Sequence, residues 1–339
     1  MGVSSVRLVP APADGILPDG FFVTSNRRTW IKLKGEEIEV KDIRMDCCIV
    51  VDEDKKLAIC MEPRKVKKGM LVVVGKEGVR EEGLFRFMKE QISPERPAYV
   101  AIEEIARKML EIKRKGGRIF VVAGPAVIHA GGREALADIV RMGLVDVLIA
   151  GNGFAVHDIE ASLYGTSLGL SLATSRYVEH SHHMWAINKV RAYGSIARAV
   201  KEGLIKDGIM YECIRKGVKF ILVGSIRDDG PLPDTIMDML LAQDLIREEI
   251  KKGVDLVLVL ATMLLAIGVC NMLPYNVRVV VVDINPMVIA KVHDRGSEQV
   301  IGVVTDVGLF LRCLQEALKA LMSGSRQPKG AHHLSGSPS

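Results

Sequence analysis

The rhythm of hydrophobic and polar positions changes once along this chain. In residues 1–95, apolar side chains come in short alternating runs. Trp30–Lys34 alternates, GEE turns the chain and IEV resumes the pattern. An apolar run within Asp46–Asp52 ends in DEDKK, Leu57–Met61 follows, and VKKGMLVVVG leads from a turn into another strand before Gly78. A period of two marks a half-buried strand. Strands this short, separated by Gly and charged turns, predict a small barrel or sandwich.

SPERP at 93–97 breaks the pattern and marks a domain boundary. Beyond it, Tyr99–Lys115 has helical periodicity and a basic end, and GG stops it. Arg118–Ala123 is an apolar strand, Arg133–Met142 an amphipathic helix closed by Gly143, and Val145–Ala150 the next strand. Further strands are expected at Lys219–Val223, Leu256–Leu260, Val277–Val282 and Gln299–Val303, with a helix over Asp234–Lys252. Val/Ile/Leu-rich strands alternating with helices predict an α/β unit, a parallel sheet covered on both faces. The expected organisation is a small β-rich domain (1–95), a parallel α/β domain (96–322) and a tail (323–339) whose composition, SGSRQPKGAHHLSGSPS, predicts disorder.

Leu256–Val277 carries no charged residue, which is close to the length of a membrane span. Thr262, Asn271, Pro274 and Asn276 interrupt it and Asp255 abuts it. It divides better into a strand (Leu256–Leu260), a loop at Ala261–Thr262 and a buried helix to Met272, so no membrane association is expected.

The 339 residues are 48% hydrophobic and 26% charged, enough for one large or two smaller globular domains. The net charge of +5 is mild, and the cluster RKVKK (64–68) reads as a solvated edge. Basic surfaces that bind single-stranded nucleic acid pair with exposed aromatics, and the nearest here, Phe85 and Phe87, stand apart from it in sequence. No nucleic-acid partner is expected; anionic small ligands suit the charge. The six cysteines include no CxxC pair, so a zinc or redox site is not indicated. Adjacent Cys47 and Cys48 should face opposite sides of a strand. Buried thiols suit a reducing cytoplasm, and MGVSSVRLVPAPADG lacks the apolar core of a secretory signal.

Candidate chemistry gathers at six predicted strand ends: GPAVIHAGG (124–132), GNGFAVHD (151–158), GSIRDDGPLPD (224–234), ATMLLAIGVCN (261–271), DINP (283–286) and TDVG (305–308). In a parallel sheet these share one edge, where backbone amides and helix N-termini can face phosphate. Gly151, Gly153 and Val156 match only the first half of GxGxxG, so this pattern does not choose among nucleotides. Asp283 suits a ribose hydroxyl or a turn before Pro286. Arg227 suits a carboxylate or phosphate; Asp228, Asp229 and Asp234 suit an ammonium or ribose, or, for Asp234, the N-cap of the following helix. His180, His182 and His183, taken with His157, raise a metal site, yet HxxxH and HExxH spacings are absent. No metal is expected. A histidine acting in acid/base chemistry or hydrogen-bonding a substrate is favoured.

The blocks MDCCIVVD, VKKGMLVVVGKEGVR, VVAGPAVIHAGG, GNGFAVHDIEASLYGTSLG, AINKVRAYGSI, GIMYECI, GSIRDDGPLPD, LATMLLAIGVCNMLP, VVDINPMVIAKVHDRGS and GVVTDVG resemble the archaeal-type ornithine cyclodeaminases. These are similar to the lysine-ketoglutarate reductase/saccharopine dehydrogenase conserved domain and to the C-terminal part of cyanobacterial arginine dihydrolase/ornithine cyclodeaminase. The resemblance spans Asp14–Leu318. It implies a Rossmann-like, deoxyhypusine-synthase-like domain that binds NAD and converts ornithine to proline with loss of ammonia. Hydride would leave ornithine Cα and return to a cyclic imine. By the family's motifs the nucleotide would touch Asn152, Gly153, Asp229, Ala261, Thr262, Met263, Leu264, Asp283, Asp306 and Val307. Within this reaction His157, Asp158 and Asp229 are candidates to move a proton, and Arg227 to bind the carboxylate.

The chain departs from the family pattern in three places. The N-terminal segment common upstream has no counterpart in MGVSSVRLVPAPADG. Gly153-Phe154 stands where two small or aliphatic residues are expected, so Phe154 would narrow the pocket. Leu265 stands where histidine is common. The competing readings are a non-enzymatic NAD-binding regulatory module and a related amino-acid oxidoreductase. A homo-oligomer is expected.

Overall fold

The structure, a computed structural model, describes residues 5–82, 98–172, 174, 176, 178–293 and 300–323. The expected boundary at 93–97 and the tail from 324 lie outside the described residues, as do Phe85, Phe87 and Gln299.

The N-terminal unit contains β1 (Arg7–Pro10), β2 (Thr29–Leu33), β3 (Glu36–Lys41), β4 (Cys48–Asp52), β5 (Leu57–Met61), a 3-10 turn (Pro63–Lys65), β6 (Leu71–Val74) and β7 (Val79–Glu81). They form one sheet in the order β1-β6-β4-β5-β3-β2-β7. A hydrogen bond of 2.8 Å from Val6 N to Lys32 O, on β2, curls the first edge round toward the other. Period-two alternation explains the arrangement. Thr29, Ile31 and Leu33 are buried while Trp30 and Lys32 are half-buried. The inner cluster holds Ile31, Leu33, Cys47, Ile49, Val51 and Cys60, and Cys48 joins a second cluster with Val66 and Val72. Cys47 and Cys48 thus face opposite sides, as adjacent strand residues must. The short β1, ending at Pro10, had escaped the sequence pattern.

The second unit comprises α1 (Ala98–Arg114), β8 (Ile119–Ala123), α2 (Ala126–His129), α3 (Arg133–Arg141), β9 (Val147–Gly151), α4 (Asn152–Tyr164), the hairpin β10 (Thr166–Ser167) and β11 (Leu170–Ser171), α5 (His182–Tyr193), α6 (Ile196–Lys201) and α7 (Ile209–Lys216). It continues with β12 (Lys219–Val223), β13 (Thr235–Ile236), α8 (Met239–Lys251), β14 (Leu256–Leu260), α9 (Leu264–Met272), β15 (Arg278–Asp283), α10 (Pro286–His293), β16 (Val300–Val304) and α11 (Val307–Met322). The sheet order is β13-β12-β9-β8-β14-β15-β16, and every pairing in it is parallel. β8 and β14 are buried along their whole length because helices cover both faces. One face carries a core from Met109 through Leu136 to Phe310; the other carries Ile246, Val269 and Val281.

The strand order reverses between β8 and β14. The chain winds outward from β8 through β9 to β12 and β13, then returns to β14 beside β8. That is the doubly wound topology in which ligands bind beyond the carboxyl ends of the strands at the switch. The two strand ends meet closely there: a Cβ on Gly124 would stand 2.1 Å from Ala261 O. Only glycine permits that approach.

The expected helix over Asp234–Lys252 is corrected. β13 occupies Thr235–Ile236, and α8 starts at Met239 with Asp238 as its N-cap, accepting from Leu240 N and Leu241 N. Asp234 instead accepts from Ile196 N at 2.8 Å, capping the distant α6. The apolar stretch 256–277 divides into β14 and α9, and among the described residues no helix is long and apolar enough to cross a membrane.

The two units touch through Met45 N to Asn271 O (3.2 Å), Tyr275 N to Asn26 O (2.9 Å) and the ion pair of Arg64 with Asp244 (2.6 Å).

Candidate active site at the strand ends

The six segments singled out in the sequence follow β8, β9, β12, β14, β15 and β16, and parallel pairing brings all six to one edge. Asn152 opens α4 there and is 5% exposed. Its Nδ2 donates to Asp228 Oδ1 (2.8 Å), and its Oδ1 accepts from Leu232 N (3.1 Å) and Thr235 Oγ1 (2.9 Å). Asp228 also accepts from Ser225 N and Oγ at 2.7 and 2.9 Å. The Asn152 amide therefore locks the β12 loop against the start of α4. At the next residue, Gly153, no atom beyond its chain neighbours and its own helix backbone lies within 4 Å of a Cβ position, so the helix start lies open there.

Arg227 and Asp229 lie exposed on that loop, and among the described residues neither side chain has a hydrogen-bond or ion-pair partner. Ala261 has φ +48°, Thr262 is half-buried, and Met263 and Leu264 are exposed at the start of α9. Asp283 is half-buried and accepts from Asn285 N at 2.9 Å, which makes it a turn residue. Asp306 caps α11 by accepting from Leu309 N at 2.8 Å, and Val307 behind it is buried. Open helix starts, an exposed cation and carboxylates on one edge fit a dinucleotide.

Next to this edge stand five of the chain's eight histidines. His157 on α4 meets His129 at the end of α2 edge to face, with ring centroids 4.8 Å apart, and His183 on α5 at 6.3 Å. His180 touches His183 at 5.3 Å, and His182 stacks on Tyr164 at 4.5 Å. His157 Nδ1 lies 2.8 Å from Glu160 Oε2, and His129 Nδ1 2.7 Å from Ser167 Oγ. Burial of the inner edge of His129, with His157 beside it, pushes its pKa down to about 4. Burial alone would raise the Glu160 carboxyl; hydrogen bonds from His157, Gly169 N and Thr166 outweigh that and hold it at about 2. Among the described residues no three His, Cys, Asp or Glu side chains are arranged to hold a metal ion.

Asp158 does not join this group, which corrects its expected catalytic role. It is wholly buried and accepts from Arg133 Nε (2.8 Å), Ile209 N (3.0 Å) and Met210 N (2.7 Å). Arg133 also pairs with Asp207 at 2.5 Å. Asp158 thus ties α4 to α3 and to the start of α7. Phe154 is fully buried in the core and does not narrow a pocket, another correction. Leu265 is half-buried against the opposite core.

Two residues of this site were not assigned from sequence: Glu160 and His129. Their signals were present. His129 lies in one of the six segments, and Glu160 follows His157 at a spacing that shares a helix face. Asp228, read as suited to an ammonium or ribose, is engaged instead with Asn152 and Ser225.

Two family models cover nearly all of the described chain. Residues 103–314 match the Rossmann-fold part of the arginine dihydrolase ArgZ-like C-terminal region, and 28–102 match its first region. The chain belongs to the ArgZ-like family. Among its relatives, an ornithine cyclodeaminase of Methanopyrus kandleri is 52% identical over 325 residues, spanning 93% of this chain and 78% of that one. A solved LOR/SDH protein from Methanococcus maripaludis S2 has a TM-score of 0.88 at 43% identity, covering 95% of this chain and 98% of that one. The ternary complex of AgrE with ornithine and NAD+ has a TM-score of 0.66 at 42% identity, covering 95% of this chain and 47% of that one. The ArgZ-like Rossmann segment contains the whole parallel sheet from β8 to β16, and so holds Asn152, His157, Asp283 and Asp306 together.

Proposed function

We infer that this chain is an NAD-dependent ornithine cyclodeaminase, converting ornithine to proline with release of ammonia. The observation that carries this is the near full-length likeness to archaeal proteins of that name, 52% identical in one case. The AgrE complex, which holds ornithine and NAD+, supports the choice of cofactor and substrate. The open backbone at Gly153 fits a closely approaching cofactor.

Bound NAD supplies a reversible hydride acceptor, so a cycle that begins by oxidising an amine carbon and ends by reducing a cyclic imine consumes none of it. The chain's part is to bind, orient and move protons. The backbone at Asn152–Gly153 and the Ala261–Leu264 turn would hold the cofactor, with Asp229, Asp283, Asp306 and Val307 as further contacts at neighbouring strand ends. Arg227, exposed and without a hydrogen-bond or ion-pair partner for its side chain among the described residues, binds the substrate carboxylate through its planar fork. His157 takes a proton from the substrate ammonium and returns one to the departing amine. Asp229 is close enough in the chain to Arg227 to engage an ammonium group on the same substrate.

The small β-rich domain ends near residue 95, and the protein works in the cytoplasm as a homo-oligomer without nucleic-acid partners. The test is single turnover with ornithine: a transient reduced-nicotinamide absorbance followed by stoichiometric proline and ammonia. A protein that binds NAD yet gives neither transient nor proline would be a binding module instead.

A further inference from the structure

We propose that Glu160 is the positioning residue of the site: one carboxylate that fixes the ring of His157 and, with the same two oxygens, the turn beside it. This rests on the proton-carrying role given to His157 above.

The geometry is closed around the carboxylate. Oε2 accepts from His157 Nδ1 at 2.8 Å and from Leu168 N at 3.2 Å; Oε1 accepts from Thr166 Oγ1 at 2.9 Å and from Gly169 N at 3.0 Å. Glu160 is fully buried. An ionised carboxylate accepts and never donates. His157 must therefore present its hydrogen at Nδ1, which leaves the lone pair of the neutral ring at Nε2. Among the described residues Nε2 has no hydrogen-bond partner, so this is the nitrogen left to take a proton from substrate. A carboxylate behind an imidazole commonly fixes tautomer and ring orientation in this way.

The turn that supplies the two amides is strained. Leu168 has φ +54°, a left-handed conformation unfavourable for a side chain branched beyond Cβ, and Gly169 has φ +72°. At Gly169 a Cβ would stand 2.6 Å from Glu179 O, so the turn is also held against the chain leading into α5. The turn is bent so that two consecutive amides converge on one carboxylate. Thr166 Oγ1, which donates to Glu160, also lies 2.8 Å from His182 Nδ1, extending the set to α5.

The titratable groups facing His157 are Glu160 on its own helix, His129 on α2 and His183 on α5, with His180 and His182 behind. Asp158 and Arg133 are engaged with each other and with the start of α7. The hydrogen bonds to Glu160 hold its carboxyl down at about 2, so it is ionised at neutral pH.

Two measurements test this. In the intact protein with 15N-labelled histidine, neutral His157 is expected as the tautomer with hydrogen on Nδ1; finding the hydrogen on Nε2 overturns the proposal whether or not proline is formed. In Glu160→Gln, kcat for proline formation is expected to fall by at least about tenfold with KM changed less than about threefold. The acidic limb of its pH–rate profile should move to lower pH, because a negative charge beside the imidazole is gone. Glu160→Asp should keep the limb nearer its parent position. A merely structural Glu160 would lower the folded fraction and leave the limb in place, and an unmoved limb in folded Glu160→Gln counts against the proposal. If the parent protein makes no proline, the functional reading fails, and the tautomer still decides the role of Glu160.

Discussion

Asn152 Nδ2 donates to Asp228 Oδ1 at 2.8 Å, joining the start of α4 to the loop after the neighbouring strand β12. The bond connects two of the six strand-end segments. Asp228 also secures Ser225, so one carboxylate sets the shape of the loop that carries Arg227 and Asp229. Asp228→Ala is expected to weaken NAD binding by about tenfold, the size of a hydrogen bond to a charged group. Isothermal titration with NAD checks it; an unchanged dissociation constant would mean that the loop keeps its shape without the carboxylate.

Gly153 separates cofactor binding from stability. Its Cβ position is open to solvent at the start of a helix, so Gly153→Ala should raise stability by up to about 1 kcal/mol through helix propensity. On the proposed placement of the cofactor the added methyl would enter its space, and NAD affinity should fall by at least about tenfold. Thermal unfolding without NAD and titration with NAD are read side by side; a variant that binds as tightly as the parent places the cofactor elsewhere.

Asp158 should behave as a structural residue. Replacing it with Ala removes the one fully buried carboxylate of the three that pair with Arg133, leaving Glu134 and Asp207, and strips two amide bonds from the start of α7. Removing one partner of a buried ion pair typically costs about 3–5 kcal/mol. Urea unfolding of Asp158→Ala is the measurement, and a loss below about 1 kcal/mol would contradict the assignment.

The acid response follows from Glu160. Its folded pKa is depressed to about 2 from the ordinary 4.5 of a glutamate carboxyl. Its contribution is therefore fully present above the unfolded value and is lost as pH falls through the folded one, with a slope of up to about 1.4 kcal/mol per pH unit. Between about pH 4.5 and 2, the parent should lose stability more steeply than Glu160→Gln. Denaturation midpoints compared across that range settle the sign; parallel curves would show that this carboxylate does not contribute.

Much of the fold was legible in the chain. β8, β12 and β14 fall within a residue of the runs read from hydrophobic pattern; for β8 and β14 the reason is that a strand buried on both faces must be apolar throughout. The six strand-end segments were legible for a related reason: glycine and polar residues ending an apolar run have few roles other than turns and ligand edges. The short β1 and β13 were not legible, since two to four residues give too little periodicity. The capping of α6 by Asp234 was not either, because its partner lies 38 residues away in the chain.

The sequence by itself determined that a parallel α/β unit follows a β-rich one, and that polar chemistry collects along one edge of its sheet. Local periodicity and the right-handed crossover rule suffice for that. Only the tertiary structure decided what each residue of α4 does. His157, Asp158 and Glu160 are near neighbours in sequence, yet a helix turns by about 100° per residue, so successive side chains meet different surroundings. His157 and Glu160 came to rest against α2, α5 and the hairpin. Asp158 met Arg133, 25 residues earlier, and the amide of Met210, 52 residues later, and that pairing took it out of the chemistry.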